Sequence, residues 1–353
     1  MTRVVSNAVA RLLEARIVCL LLLCATLTLT LQEWVGDSTI YASSWVAARE
    51  EAHAALLHNR LPPGAASWDA VGMNGANVRI GVVYLAELGH RLSGLRVTHV
   101  YHLIDSIALF CSFLLLFAFL RRRAPASHAT IGVLFVAALM PLTYYLHRYH
   151  PWDRVSLCLW IALVMLLERR KLVPFTLLLA VAVVVKYDVA VLPGLYFLLE
   201  ADADSWRRVT LRTAGLLLLS FGIYVALSHA LPGGSEPRAF YAQMRHNLTV
   251  IREMHLRYPP LLMFGLVTAV ALYGLRGADR FARACAAFAA IVAVPLFAAT
   301  NFVEVRAETM LLILLLPAAM AGLARLLETP SAASARIRGV PAEPLLEDPV
   351  VPA

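Results

Sequence analysis

The sequence predicts an all-α fold: a polytopic transmembrane bundle of about eight full spans plus one re-entrant or short-helix hairpin. Three observations predict it. The 353 residues are 60% hydrophobic with a mean hydropathy of +0.71, beyond the range of a soluble domain. Apolar runs close to the about 20 residues that cross a hydrocarbon core recur along the chain. Short arginine clusters sit between them, the pattern that orients a chain in a bilayer.

The first run, Ile17 to Leu31, follows a basic N-terminus (Arg3, Arg11, Arg16) and ends in Gln32, Glu33 and Trp34. No small-x-small cleavage site follows it, so it reads as an uncleaved span. Further runs fall at roughly 99–120, 129–147, 154–168, 213–231, 259–275, 284–300 and 309–327. Clusters at Arg121 to Arg123, Arg169 to Lys171, Arg207 with Arg208 and Arg212, and Arg276 with Arg280 and Arg283 then fall on one side. Setting that side and both termini in the cytoplasm places more than half of the 31 Lys and Arg there.

One run, 172–199, has such clusters at both ends and must therefore enter and return on one side. Its middle carries Lys186, Tyr187 and Asp188, and Pro193-Gly194 follows. Polar backbone at membrane depth is tolerated where it is buried in protein or lines a wet cavity, so this hairpin is expected to face a cavity. The stretch 329–353, rich in Pro, Ala and Ser, reads as a disordered cytoplasmic tail, leaving 1–328 as one integral membrane domain. The five cysteines all lie in apolar runs without a CxxC pair, which points to packing rather than disulfides or metal. The charge of +8 is spread over many loops, so nucleic acid is not an expected partner.

Nearly every polar constellation then falls on the extracytoplasmic face. A long loop, 36–97, opens with Asp37 and Tyr41, is expected to bear an amphipathic helix through Arg49 to His53, and continues to Arg79. A turn at 147–153 lies in LHRYHPWDR, with His147, His150 and Asp153. A second loop, 232–258, carries Arg245, Arg252 and Arg257, and a short turn carries Glu304 and Arg306. About a dozen arginines on this side run against the positive-inside bias. Guanidinium groups fork onto phosphate and carboxylate oxygens, so an anionic ligand is the natural cause.

Each feature also has a plainer structural reading. Asp37 suits a helix N-cap. His99, His102 and Asp105 suit a polar stripe facing other helices rather than a metal site. The 147–153 turn suits a solvated turn anchored by Trp152, and Lys186 with Asp188 suits mutual neutralisation. Asn247-Leu248-Thr249 matches a glycosylation sequon too short to mean much.

An acidic residue just after the first span, opening a long outer loop, resembles the GT-C superfamily of membrane glycosyltransferases. The Glu304-Val305-Arg306 turn before a late span is similar to that in uncharacterised bacterial members. Many members carry a paired acidic motif in this loop, whereas Ser38 follows Asp37 here. The resemblance implies transfer of a sugar from a polyprenyl-phosphate carrier to an acceptor glycan or lipid at the outer face of the inner membrane. A carboxylate would deprotonate the acceptor, with Asp37 first and Asp153 or His150 as the fallback. Tyr41, Arg79, Lys186, Arg245, Arg252, Arg257, Glu304 and Arg306 would hold substrate, the cations stabilising the departing phosphate. The cofactor is left unknown: a divalent cation is open, and nothing in the sequence requires one. Two alternatives stay open, a Wzy-like polysaccharide polymerase or ligase and a transporter or flippase of lipid-linked sugars.

Overall fold

A computed structural model describes residues 16–28, 44–58, 60, 79–143, 152–201, 205–231, 240–254, 259–299 and 305–327. It is 89% helix, with no strand among the described residues. In chain order the helices are α1 (Arg16–Thr28), α2 (Ser44–Leu57), α3 (Gly81–Ser93), α4 (Val97–Arg121), α5 (Ala126–Leu139) and α6 (Asp153–Glu168). There follow α7 (Leu172–Val185), α8 (Leu192–Glu200), α9 (Trp206–Ala230), α10 (Phe240–Met254), α11 (Pro259–Gly274), α12 (Arg280–Ala299) and α13 (Val305–Leu327). Short 3-10 turns occupy Met140–Thr143 and Tyr187–Val191. The stretch read as a tail lies outside the described residues.

Among the described residues, four helices, α4, α9, α12 and α13, are long and apolar enough to cross a membrane. The expectation of about eight full spans is corrected accordingly. Helices α1, α5 and α7 and the Phe264–Gly274 part of α11 are apolar but short. A helix of 14 residues such as α5 or α7 reaches only about 21 Å, against a core of about 30 Å. At α5 the apolar run is longer than the helix it forms. Within the run at 129–147, α5 ends at Leu139 and Met140–Thr143 tighten into the 3-10 turn, where Pro141 has no N–H to donate back; residues 144–147 lie outside the described residues.

Within 172–199 the chain forms α7, an extended Lys186 (φ −161°, ψ 120°), a 3-10 turn and α8. The break itself is at Lys186, and Pro193, whose ring has no N–H to donate, sits in the first turn of the helix that follows. Both far ends come back to the same end of the bundle, where Arg170 Nε lies 3.4 Å from Glu200 Oε1. Helix α9 runs the length of this pair of helices: Trp206 packs edge-on against Phe197, and Tyr224 lies against Tyr187.

The main core joins α4, α5, α6, α7, α8, α12 and α13, with Phe113, Phe119, Trp160 and Phe175 almost wholly buried. Helices α11 and α13 make the closest crossing. A Cβ placed on Gly274 would overlap the Ala318 carbonyl, and one on Gly322 would overlap the Val270 carbonyl. Glycine here lets two backbones approach as in small-residue membrane interfaces.

A second, smaller core lies at the start of α4. There Leu56 of α2, Val82 and Val83 of α3, Val100 and Tyr101 of α4, Trp152 and Val185 are buried together. Gly94 makes the turn from α3 to α4 in the left-handed region (φ 69°), its N–H donating to the His90 carbonyl. The amphipathic helix expected around Arg49 to His53 is also corrected. Helix α2 forms there, but its many alanines leave apolar residues spread around it. Among the described residues of this loop, the helix with segregated faces is α3.

Candidate functional site at the start of α6

The turn that breaks 172–199 meets the start of α6. Lys186 Nζ lies 3.1 Å from Asp153 Oδ1 and 3.0 Å from Asp188 Oδ2, so one ammonium is clamped by two carboxylates. Asp153 sits in the first turn of α6, where the open N–H groups favour negative charge. Asp188 also accepts from Trp160 Nε1 at 3.4 Å and from the Ser156 hydroxyl at 3.5 Å. These side chains stand one helical turn apart along one face of α6, which is why the sequence can aim them at one partner.

A second ion pair lies beside the first. Arg154 Nε is 3.9 Å from Asp105 Oδ2, both side chains are almost wholly buried, and the guanidinium also donates towards the Met140 sulfur. Asp105 is eight residues into α4, about 12 Å along the axis from its first residue. Such buried charge persists only when paired.

Arg79 is stacked between two rings, its Cζ 5.3 Å from the Trp152 centroid and 5.0 Å from the Tyr187 centroid. Its Nη2 donates to the Tyr187 hydroxyl at 3.3 Å. The planar guanidinium suits this sandwich in a way that a lysine would not.

Asp153, Lys186 and Asp188 line a small open recess, with Arg154, Thr143 and Thr309 in its wall. The recess therefore joins carboxylates able to take a proton, cations able to hold an anion, and hydroxyls able to orient either. The hydroxyl of Thr309 brings in α13, one turn after Arg306.

Of the residues expected from sequence, the structure brings Asp153, Lys186 and Arg79 together. Arg245 and Arg252 do not join them. They lie on the exposed side of α10, whose other side buries Gln243 and Asn247 against α12, Asn247 donating to the Phe297 carbonyl. Burial of Asn247 also rules out its sequon as an acceptor in the folded chain. Asp37, Tyr41, His150, Arg257 and Glu304 lie outside the described residues, and Arg306 is placed in α13 without a described side chain. His99 and His102 are exposed while Asp105 is buried, so these three do not converge. Among the described residues, no group of three His, Cys, Asp or Glu could hold a metal ion.

Sequence reasoning missed two features. One is the pairing of Arg154 with Asp105, although a charged residue inside each of two apolar runs was a signal. The other is a clasp on α2: His53 shares a hydrogen bond with the Tyr101 hydroxyl (2.8 Å) and lies 3.2 Å from Glu87, which Arg91 also holds.

Compared with known proteins, the chain matches no family model, no curated protein and no solved structure.

Proposed function

We propose that this protein is a membrane glycosyltransferase that moves a sugar from a polyprenyl-phosphate carrier to an acceptor glycan or lipid. The inner membrane is its site, with both termini cytoplasmic and the recess facing the extracytoplasmic side. The observation that carries this reading is the pair of carboxylates clamped on Lys186 at the wall of the recess, with Arg79 beside Tyr187. In an inverting transfer the Asp153 carboxylate takes the proton of an acceptor hydroxyl as that oxygen attacks the anomeric carbon. The bond from that carbon to the carrier oxygen breaks, and its electron pair leaves with the phosphate. Lys186 and Arg79 supply the positive charge that stabilises the departing phosphate.

The test is turnover with a polyprenyl-phosphate sugar donor. Asp153→Asn should keep expression and slow transfer by roughly 10²–10⁴-fold, the usual range for loss of a general base. Asp37→Asn is measured in parallel, because Asn caps a helix about as well as Asp. Loss in Asp37→Asn alone moves the base to the first loop, and full activity in both variants removes the transferase reading.

A second reading has one observation in its favour. The helix break at Lys186 places charged groups at a discontinuity, as in carriers with broken helices. Movement of a lipid-linked sugar across proteoliposomes, with no change in its covalent structure, would select a flippase instead.

A further inference from the structure

The geometry points to a phosphate-binding site for an anionic phospholipid at the other end of α6, in the leaflet on the side of the basic turns. It does not rest on the transferase proposal, because it uses none of the residues around Lys186.

Three parts of the chain meet there: the turn from α6 to α7, the end of α8 and the first turns of α9. They form a small open recess walled by Arg170, Lys171, Arg212, Glu200, Leu172 and Leu199. Among the described residues, three cations thus line the recess with one carboxylate, Glu200, which Arg170 engages at 3.4 Å. Arg170 holds φ 54°, a region that residues other than glycine rarely occupy, and this ends α6 so sharply that Lys171 at once begins α7. Helix α7 starts beside the recess with no side-chain cap and no acidic residue in its first turn, which adds partial positive charge.

The ligand chemistry follows from this charge and from what surrounds it. Two guanidinium groups and an ammonium match the oxygens of a phosphate ester. The flanks are apolar and exposed: Val173 is 72% exposed, Leu211 73% and Trp206 59%. A free anion would use the recess alone. A phospholipid uses the recess for its phosphate and these flanks for its chains, with Trp206 as an interfacial anchor.

The test is native mass spectrometry of the full chain in detergent, titrated with phosphatidylglycerol or phosphatidylcholine of the same acyl chains. The wild type should retain phosphatidylglycerol about ten-fold better, and Lys171→Gln and Arg212→Gln should each reduce that preference several-fold. Arg212→Lys, which keeps the charge, should retain part of it, and Glu200→Gln should raise it by removing the carboxylate. Arg207→Gln removes a nearby cation that does not line the recess and should change little. Equal retention of both lipids overturns the proposal, as does an equal loss in Arg207→Gln and Arg212→Gln, which would mean a diffuse surface charge. Glycerol 3-phosphate is the soluble arm. If it protects the protein against heat at concentrations matching the lipid, the site is for a free phosphate ester and the lipid assignment fails.

Discussion

Lys186 Nζ lies 3.1 Å from Asp153 Oδ1, tying the break between α7 and α8 to the first turn of α6. The contact is one half of a clamp, because Asp188 holds the same ammonium from the other side. Removing the lysine would leave two carboxylates facing each other. Lys186→Met should therefore destabilise the protein by about 3–5 kcal/mol, the range for breaking a buried pair from one side. Adding Asp153→Asn to that variant should recover a measurable part. Thermal unfolding of the four proteins of this double-mutant cycle reads the coupling, and strictly additive losses would show that the two residues do not interact.

The clasp on α2 gives a pH dependence. Arg91 and then His53 hydrogen-bond to the Glu87 carboxylate and hold it below the usual carboxylate range. The groups facing it are His53 from α2 and Arg91 on its own helix, while Tyr101 from α4 bonds the far side of the His53 ring. A carboxylate depressed in the folded state contributes stability fully above its unfolded value of about 4.3. That contribution is lost as pH falls through the lower folded value. Hydrogen exchange in α2, corrected for intrinsic rates, should rise below about pH 4.3 in the wild type. Glu87→Gln should exchange faster at neutral pH and lose that acid-side rise.

How much of this was legible in the sequence depends on the range of the interactions. The helical class and the break near Lys186 were readable, because apolar runs, a Lys-Tyr-Asp triplet and Pro193 are local signals. The span count was not, because hydropathy records which residues tolerate lipid and not where the helix hydrogen bonds stop. Helix α5 ends inside an apolar run in this way, at the turn that holds Pro141. Of the candidate site, Asp153 and Lys186 were each visible but their meeting was not, since nothing local pairs the start of α6 with the end of α7. Arg245 and Arg252 formed a strong charge pattern, and the structure adds only that α10 buries Gln243 and Asn247 and leaves these two arginines exposed.

The crossing of α11 and α13 predicts opposite signs for one substitution. Gly265 of α11 has nothing within 4 Å of an added Cβ, whereas Gly322 of α13 has the Val270 carbonyl in that space. Gly265→Ala should be neutral or stabilising by up to about 1 kcal/mol, the helix propensity difference. Gly322→Ala should destabilise by about 1–3 kcal/mol, the cost of overpacking. Unfolding in denaturant reads both. The same sign for the two variants would mean that the backbones are not in close contact.

The position of the two bundle ends gives the last prediction. Helix α4 begins at Val97, beside the α3–α4 turn, and reaches Arg121, while α9 begins at Trp206, near the end of α8. Arg122 and Arg123 share Glu168 at the end of α6, and Arg170 reaches Glu200, so these turns gather at one end. Ser93 lies at the opposite end, beside the start of α4. Single cysteines at Ser93 and Ser205, in a background lacking the five native cysteines, should therefore label from opposite sides of the membrane. An impermeant maleimide added to intact cells should reach Ser93→Cys, and Ser205→Cys only after the membrane is opened. Labelling of both from outside would mean that α4 does not cross the bilayer, and with it the extracytoplasmic placement of the Asp153 recess would fall. The reverse pattern would keep the span but turn the recess, and any acceptor it serves, to the cytoplasm.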